Sequence, residues 1–463
     1  MALQLYNSLT RKVEAFLPRT DAQVQMFVCG PTVYDRIHAG NARTFTIFDV
    51  VARWLRYRGY TVTYVQNITD IDDKIIQRAQ QVGKEPLAFA REFEEAFRAD
   101  MAALGNDAVS TYARATDYIP QVISQVKTLI AKGSVYRIEG DGWYFDLTSF
   151  PDYGKLSGRT GAQADDAQSR IDDSDKKRNR GDFCVWKLSK SGEPVWQDAQ
   201  LGDGRPGWHI EDTAITEHLF GTQYDLHGGG MDLKFPHHEA EIAQQEAASG
   251  LVPFVKYWMH AGFLQVQAER MGKSMGNFAT LHVLLEEYSA ATLRFFFLSA
   301  HYRAPLDYSD VNLAAANAAT QRIAELLAKL LVVPPAASSG LGDAVAAART
   351  QVETAMDDDF NTAAAFGAVF ELIRTSNSAL ATGALTHEEV TALTSFFQWI
   401  FEIFGIIPEG TIAMPREVEQ LLDERQSARE RKDWETSDRL RAQLLELGWT
   451  IDDTPYGPVA KKK

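Results

Sequence analysis

A short segment near the start of the chain combines residue types that suit an anion site. His38-Ala39-Gly40-Asn41 lies where a predicted strand gives way to a predicted helix. Free backbone N–H groups and the helix dipole favour anions at a helix N-terminus, and Gly40 lets the backbone approach a ligand closely. The segment is therefore a candidate polyphosphate site that includes His38 and Asn41, although an ordinary turn with a histidine has the same pattern.

A second segment, far downstream, offers a lysine suited to the same chemistry. It reads Arg270-Met271-Gly272-Lys273-Ser274. In a loop, Lys273 would stabilise the negative charge that develops as pyrophosphate leaves a nucleotide. The GxxxxGK[ST] phosphate loop does not occur in the sequence, so the common ATPase class lacks its defining residues.

A third segment has metal-ligand spacing. Gly228-Gly229-Gly230-Met231-Asp232 is followed by Phe235-Pro236-His237-His238-Glu239-Ala240-Glu241. A proline favours the start of a helix, which places His237 and Glu241 one turn apart on the same face, where both can bind one ion. The glycines allow the backbone to line a ligand beside Asp232. The alternative is a helix with a capping aspartate and a surface His–Glu pair.

These segments need a parallel sheet to bring them together. Residues 24–29 read as a buried strand, residues from 41 have helical spacing that ends at Gly59, and residues 61–66 alternate like a strand. Such a strand-helix-strand unit builds parallel sheets, whose nucleotide sites lie at the carboxyl ends of the strands. Strand signals return near residues 226 and 255–263, and the pattern from residue 314 onward is almost wholly helical. We therefore predict an α/β fold followed by a helical region.

Composition limits the number of domains and the classes of function that are compatible with the chain. A chain of 463 residues with 45% hydrophobic content predicts several domains, and a net charge of −15 argues against nonspecific coating of nucleic acid. Two cysteines without a disulfide pattern predict a reducing, cytoplasmic setting. The longest apolar run, residues 396–407, is too short for a bilayer, so we expect no membrane partner. The basic runs 176–180 and 461–463 are candidate RNA contacts, although a solvated loop and a frayed tail are the favoured interpretations.

The three segments together resemble the paired HIGH and KMSKS signatures of class I aminoacyl-tRNA synthetases. The resemblance is closest to the cysteinyl type and runs from about residue 3 to the final lysines. The segments that carry it are Met26-Phe27-Val28-Cys29-Gly30-Pro31-Thr32, Asn67-Ile68-Thr69-Asp70-Ile71-Asp72-Asp73-Lys74, Gly204-Arg205-Pro206-Gly207-Trp208-His209-Ile210-Glu211 and Gly228-Gly229-Gly230-Met231-Asp232.

The resemblance implies one zinc ion per chain that binds the thiol of the substrate. In that family two cysteines, a histidine and a glutamate hold the ion, and the matching positions are Cys29, Asp212, His237 and Glu241. The second family cysteine is therefore Asp212 in this chain. Zinc accepts carboxylate oxygen, although such a site is harder and less zinc-selective than one with two thiolates. We expect Cys184 to be a buried apolar residue and not a replacement ligand.

The resemblance also assigns the remaining site residues. The catalytic group is His38, Asn41 and Lys273; the nucleotide contacts are Gly40, Gly228, Gly230, Asp232 and Lys273; the amino-acid contacts are Cys29, Thr69 and Trp208; the tRNA contacts are Arg429, Trp434 and Asp438. Arginine and tryptophan stack on splayed bases and aspartate accepts from a base edge, whereas a surface helix with charge pairs is the alternative for the last group.

The expected domain order follows. We predict a Rossmann-like class I synthetase catalytic domain with an inserted domain, then an all-α bundle and a small C-terminal anticodon-binding domain. Its segments are 1–115, the insertion 116–205, the second catalytic half 206–262, a connecting segment 263–316 with the KMSKS-like loop, the bundle 317–400 and the anticodon domain 401–463.

The resemblance implies that cysteine is activated by ATP, with magnesium, to cysteinyl-adenylate and transferred to tRNA(Cys), by an enzyme that we expect to be monomeric. One alternative is a ligase that joins activated cysteine to an amino sugar, as mycothiol-pathway relatives do. Those relatives lack the C-terminal anticodon part. The other alternative is a catalytically inactive tRNA-binding paralogue, against which His38 and Lys273 argue.

Overall fold

The computed structural model describes residues 2–159, 174–267, 269–272, 278–331, 340–381, 385–408, 416–454 and 457–462. The chain forms two compact units. The larger unit consists of Ala2–Leu284 and Tyr302–Leu306, and the smaller consists of Leu285–His301 and Asp307–Lys463.

The larger unit is an α/β structure. Its strands in chain order are β1 (Gln4–Asn7), β2 (Lys12–Ala15), β3 (Gln23–Val28), β4 (Thr61–Ile68), β5 (Thr111–Arg114), β6 (Val135–Ile138), β7 (Gly142–Phe145), β8 (Phe183–Leu188), β9 (Gly204–Pro206), β10 (Tyr224–Gly230), β11 (Val255–Ala261), β12 (Leu264–Val266) and β13 (Glu269–Arg270), and β14 (Leu306–Asp307) begins in it. Its helices are α1 (Ala39–Tyr57), α2 (Asp73–Gln81), α3 (Pro86–Leu104), α4 (Ile119–Ala131), α5 (Ile210–Phe220) and α6 (His237–Ser249).

The centre of this unit is a five-stranded sheet in the order β11-β10-β3-β4-β5, with every neighbouring pair parallel. The predicted strand-helix-strand unit is confirmed, since β3, α1 and β4 follow one another and Val24 pairs with Val62. Strand β10 lies directly beside β3, with Met26 opposite Leu226. The sheet therefore joins two stretches of chain that are far apart in sequence.

The segment between those stretches has an antiparallel sheet of its own, in the order β6-β7-β8-β9. Helix α4 contributes Val126 and Leu129 to the core that also contains Phe145 and Trp186. Cys184 is 1% exposed and packs with Tyr144, so its prediction as a buried apolar residue is confirmed.

The smaller unit is mostly helical. Helix α7 (Leu281–Glu287) spans its boundary, and α8 (Ala290–Leu298), α9 (Asp310–Leu330), α10 (Leu341–Asp357), α11 (Thr362–Ala381), α12 (His387–Phe404), α13 (Arg416–Glu430) and α14 (Trp434–Glu446) follow, then β15 (Trp449–Thr454) and β16 (Gly457–Lys462). None of the helices in the described residues combines the length and apolar character needed to cross a membrane.

The final hairpin corrects the sequence expectation of an almost wholly helical region. Strands β15 and β16 pair antiparallel from Trp449 opposite Lys462. Trp449 and Ile451 alternate inward and pack against Leu444 and Val418 of the preceding helices. This two-residue alternation is too short for the periodic signal that marked the helices before it.

Candidate active site and metal centre

The N-terminus of α1 forms the first part of the site. His38 is its N-cap residue, and its Nδ1 accepts a hydrogen bond of 3.3 Å from the backbone N–H of Asn41. A Cβ atom at Gly40 would lie 2.9 Å from atoms of the His38 ring. The absence of a side chain at Gly40 therefore allows the ring to lie close to the backbone. His38 and Asn41 are thus held together where the helix dipole favours an anion.

A cavity of about 470 Å³ opens in front of this helix. It lies at the carboxyl ends of three strands, because Cys29 follows β3, Gly230 ends β10 and Ala261 ends β11. His38, Gly40, Asn41, Gly230, Asp232, Arg270 and Gly272 are also in its wall. The position agrees with the general placement of nucleotide sites in parallel sheets.

The downstream loop reaches the same cavity through its first residues. The guanidinium of Arg270 lies 2.5 Å from Oδ2 of Asp232 and 5.1 Å from the ring centre of Phe263. Lys273 falls outside the described residues. The structure therefore brings Asp232 and Arg270 together at the cavity and says nothing of Lys273.

Gly228 has a different position from Gly230. A Cβ atom at Gly228 would lie 2.4 Å from the ring of Phe48 on α1, so this glycine allows β10 to pack closely on the helix. The carbonyl of Gly228 accepts a hydrogen bond of 3.0 Å from the N–H of Cys29. Of the two glycines, Gly230 lines the cavity.

The predicted metal ligands converge in the interior. Cys29 Sγ lies 3.6 Å from Oδ2 of Asp212 and 3.9 Å from Oε1 of Glu241. Nε2 of His237 lies 3.0 Å from Oδ2 of Asp212 and 3.1 Å from Oε1 of Glu241, one turn along α6. Zinc bound tetrahedrally by sulfur, nitrogen and oxygen spaces such ligand atoms ~3.3–3.6 Å apart. The alternative of a surface His–Glu pair is wrong, because His237 and Glu241 are buried.

The electrostatics of this cluster favour a cation. Burial raises the pKa of the Cys29 thiol, and the charges of Glu241 and Asp212 raise it further. Burial and the charge of Asp212 likewise raise the pKa of Glu241. Among the described residues, Oδ1 of Asp212 and Oε2 of Glu241 have no hydrogen-bond partner although both are buried. A divalent ion would offset these anionic groups and occupy their free oxygens, so the cluster is compatible with zinc.

Trp208 contacts a predicted metal ligand, and Thr69 contacts Glu211, the residue before Asp212. The hydroxyl of Thr69 donates to the buried carboxylate of Glu211. The ring of Trp208 stacks on His237 at 4.8 Å between ring centres. Burial raises the pKa of Glu211, and the charge of Asp212 adds to this effect. Glu211 lies within a sequence motif, but no pattern in the sequence indicated a role for it.

Four further histidines surround the cluster and were not predicted as site residues. Nδ1 of His209 lies 2.7 Å from Nδ1 of His237. His227, His238 and His260 form a second group on the other side of Cys29. Burial lowers the pKa of His227 and His238 well below the usual value, which keeps both imidazoles neutral. The adjacent pair His237-His238 was the one signal available in sequence.

A buried arginine on α1 was also missed. Arg43 is 0% exposed and donates to the backbone carbonyls of Gly262, Phe263 and Ala304, at 2.8, 3.1 and 2.8 Å. Burial lowers its pKa to about 10, so it remains charged at neutral pH. Because Gly262 and Phe263 line the cavity, Arg43 ties the cavity wall to the helix that carries His38.

The predicted tRNA contacts lie in the smaller unit. The guanidinium of Arg429, on α13, lies 5.8 Å from the ring centre of Trp434 at the start of α14. Trp434 is 57% exposed, and Asp438 is exposed one turn further along. An exposed tryptophan next to an arginine provides a surface on which unpaired bases can stack.

Comparisons with known protein families match most of the chain. Residues 15–318 match the catalytic domain of tRNA synthetases class I (C), residues 351–408 match a DALR domain, and residues 411–456 match the cysteinyl-tRNA ligase anticodon binding domain. A solved methionyl-tRNA synthetase from Mycobacterium tuberculosis, bound by methionyl-adenylate, has the same fold with a TM-score of 0.61, at 17% identity and with 83% of this chain and 92% of that chain covered. The fold and the matched domain are those of a class I aminoacyl-tRNA synthetase.

Relatives that are similar in sequence identify the family within this class. A cysteine–tRNA ligase from Laribacter hongkongensis is 45% identical over 469 residues, with 98% of each chain covered. A second, from Trichlorobacter lovleyi, is 44% identical over 493 residues and covers 100% of each. The chain belongs to the cysteinyl-tRNA synthetase family, as its sequence resemblance predicts.

Proposed function

We propose that the chain activates cysteine with ATP and transfers it to tRNA(Cys). One observation carries the proposal. Cys29 belongs both to the buried ligand cluster and to the wall of the cavity, which His38 and Asn41 also line. A thiol held at the cluster therefore has its carboxylate within the cavity that suits a nucleotide. Full-length relatives with the name cysteine–tRNA ligase support the same activity.

In the first step, the carboxylate of cysteine attacks the α-phosphate of ATP and pyrophosphate leaves. His38 and Asn41 at the N-terminus of α1 hold the phosphates, and Lys273 stabilises the leaving pyrophosphate, with magnesium entering as part of the ATP substrate. Gly40, Gly230 and Asp232 line the nucleotide, whereas Gly228 serves through the packing of β10 on α1. In the second step, a hydroxyl of the terminal ribose of tRNA attacks the carbonyl carbon of the adenylate, an ester forms and AMP leaves. Positioning and charge stabilisation carry both steps, so no protein nucleophile takes part.

The metal centre confers amino-acid specificity. Cys29, Asp212, His237 and Glu241 would hold one zinc ion per chain, and the ion would supply a ligand position for which a thiol competes far better than a hydroxyl. Thr69 and Trp208 form the surroundings of the bound amino acid next to these ligands. Pocket shape alone separates such near-isosteres only modestly, so metal ligation is the basis for rejecting serine.

The remaining assignments concern the partners and the setting. Arg429, Trp434 and Asp438 read the anticodon, which the matched anticodon binding domain at residues 411–456 supports. We propose that the protein is a monomer and acts in the cytoplasm. Cys29 and Cys184 are buried and not joined in a disulfide, which supports a reducing setting.

The six predicted segments, 1–115, 116–205, 206–262, 263–316, 317–400 and 401–463, form our proposed domain organisation. Two features support it. The antiparallel sheet β6-β7-β8-β9 falls between the two stretches that rejoin as β3 and β10. The helices from α9 onward belong to the smaller compact unit.

Pyrophosphate exchange and tRNA charging, measured separately, test the proposal. We expect ATP–pyrophosphate exchange with cysteine, little exchange with serine, and charging of tRNA(Cys). Exchange without charging would point to the amino-sugar ligase. Binding of tRNA without any exchange would point to the inactive paralogue.

A further inference from the structure

The ligand cluster around Cys29 has two sides. On one side lie Asp212 and His237. On the other, Nε2 of His227 and Nε2 of His238 lie 3.3 Å and 3.2 Å from Cys29 Sγ. Glu241 faces both sides, with Oε1 3.1 Å from His237 and Oε2 3.5 Å from Nδ1 of His227.

The histidines on the second side also make the outer hydrogen bonds that are typical of metal-binding histidines. A ligating imidazole usually hydrogen-bonds through its other ring nitrogen, which fixes the orientation of the ring. Nδ1 of His227 lies 2.6 Å from the hydroxyl of Tyr224. Nδ1 of His238 lies 2.9 Å from His260, whose own Nδ1 lies 2.8 Å from the hydroxyl of Ser8. Both rings are therefore fixed with Nε2 directed at Cys29.

We propose that the chain has a second position for the metal ion, beside the Asp212 position, and that one ion occupies either position. The ligands of the second position are Cys29, Glu241, His227 and His238, whose ligand atoms lie within 4.8 Å of one another. This inference rests on the proposed metal centre, because the two positions share Cys29 and Glu241.

Donor chemistry favours the second position for zinc. It offers one sulfur, two imidazole nitrogens and one carboxylate oxygen, whereas the Asp212 position offers two carboxylate oxygens and only one imidazole. Imidazole and thiolate suit zinc better than oxygen does. Two anionic ligands also balance the charge of a divalent ion, whereas the Asp212 position has three. Two ions at once would share one thiolate at close range, so we expect a single ion.

The test is zinc binding by Asp212→Asn, a variant of equal shape that lacks the carboxylate. We expect the variant to retain one zinc per chain, with two imidazoles and one sulfur seen by X-ray absorption at the zinc edge. Substitution with cobalt should preserve the sulfur-to-metal absorption band. Circular dichroism and melting show whether the variant is folded, and Asp212→Ser serves if it is not.

Double variants identify the ligands. Asp212→Asn with His238→Asn keeps a hydrogen-bonding group near His260 but removes Nε2, and should lower zinc affinity at least 10- to 100-fold. The matched control, Asp212→Asn with His209→Asn, changes a histidine outside the second position and should retain zinc. A folded Asp212→Asn variant without zinc, or a His238→Asn double variant that binds as tightly as Asp212→Asn, overturns the second position. A natural-sequence protein without zinc would overturn the metal centre itself.

Discussion

The side chain at position 212 is a carboxylate where the family resemblance implies a thiolate, and this would change how the proposed metal ion is held. Carboxylate donates less electron density than thiolate, so the ion stays more electrophilic while its own binding weakens. Oδ2 of Asp212 lies 3.0 Å from His237, and Oδ1 has no hydrogen-bond partner among the described residues. The free oxygen is available to an ion without loss of an existing contact.

We predict that Asp212→Cys tightens zinc binding. The natural protein should lose zinc to a chelator faster than the variant, because two thiolates hold zinc more strongly than one. Zinc release can be followed with a chromogenic chelator in both proteins. Equal release rates would contradict a role of Asp212 as ligand, and Cys184→Ser, which alters a cysteine outside the cluster, should leave the rate unchanged.

Lys273→Ala should slow cysteine activation by about 10²-fold or more, the scale for the loss of one charge-stabilising donor. The measurement is ATP–pyrophosphate exchange at saturating cysteine. Lys273→Arg keeps the charge and should retain part of the rate. Unchanged kinetics in the alanine variant would remove the assignment.

The sequence was sufficient to identify some residues of the candidate site and not others. His237 and Glu241 were accessible because their spacing places them on one helix face, and Cys29 was accessible through the family resemblance. The structure places all three together. His227 was not accessible, because its approach to Cys29 depends on the pairing of β10 with β3. Arg43 was equally hidden, since an arginine inside a helical pattern normally indicates a solvent-facing position.

Among the secondary-structure elements, α1 does most to position the site. Its N-terminus holds His38, its Phe48 packs on Gly228, and its Arg43 binds the carbonyls of the cavity wall. The proposed phosphate site therefore depends on the position of α1. The spacing of apolar residues predicted this helix well, because Phe45, Phe48 and Leu55 recur at helical intervals and are all buried.

We predict that Arg43→Met lowers the free energy of unfolding by about 2–4 kcal/mol, since buried carbonyls lose their donors. It should also raise KM for ATP, because Gly262 and Phe263 line the cavity. Urea denaturation and exchange kinetics measure the two effects. The control is Arg56→Met, an exposed position on the same helix, which should change both far less. Unchanged stability in Arg43→Met would contradict this role.

The C-terminal hairpin shows where element prediction failed. Trp449 and Ile451 of β15 depend on α13 and α14 for burial, and β15 and β16 pair only with each other, so the local pattern is weak. In contrast, β3 and β4 are mostly buried and lie inside the sheet, and local sequence was sufficient to predict them.

At the scale of the whole molecule, the proposed chemistry and the proposed RNA recognition use different parts of the chain. The cavity and the metal ligands belong to the larger unit, and Trp434 belongs to the smaller. We predict that deletion of residues 409–463 impairs tRNA charging while cysteine-dependent pyrophosphate exchange survives. Equal charging without this segment would contradict its role in tRNA recognition.

A point substitution tests the same role in RNA recognition without deleting part of the chain. Trp434→Ala should lower kcat/KM for tRNA about 5- to 150-fold, the range for loss of one base stack, and leave exchange unchanged. Leu445→Ala, an exposed apolar position on the same helix, is the matched control and should have little effect. A Trp434→Ala variant that charges tRNA normally would place the anticodon contact elsewhere.

Strand β3 is synthesised long before β10, the strand beside it, so the two strands can pair only late in synthesis of the chain. Cys29 leaves the ribosome roughly 200 residues before Glu241, a delay of ~10–40 s at ordinary synthesis rates. During that time β3 has no β10 beside it, and the Cys29 thiol has none of its three proposed co-ligands. An apolar strand edge therefore stays exposed until the second half of the sheet is synthesised. The proposed metal centre can be completed only after strands β6 to β9 have been synthesised.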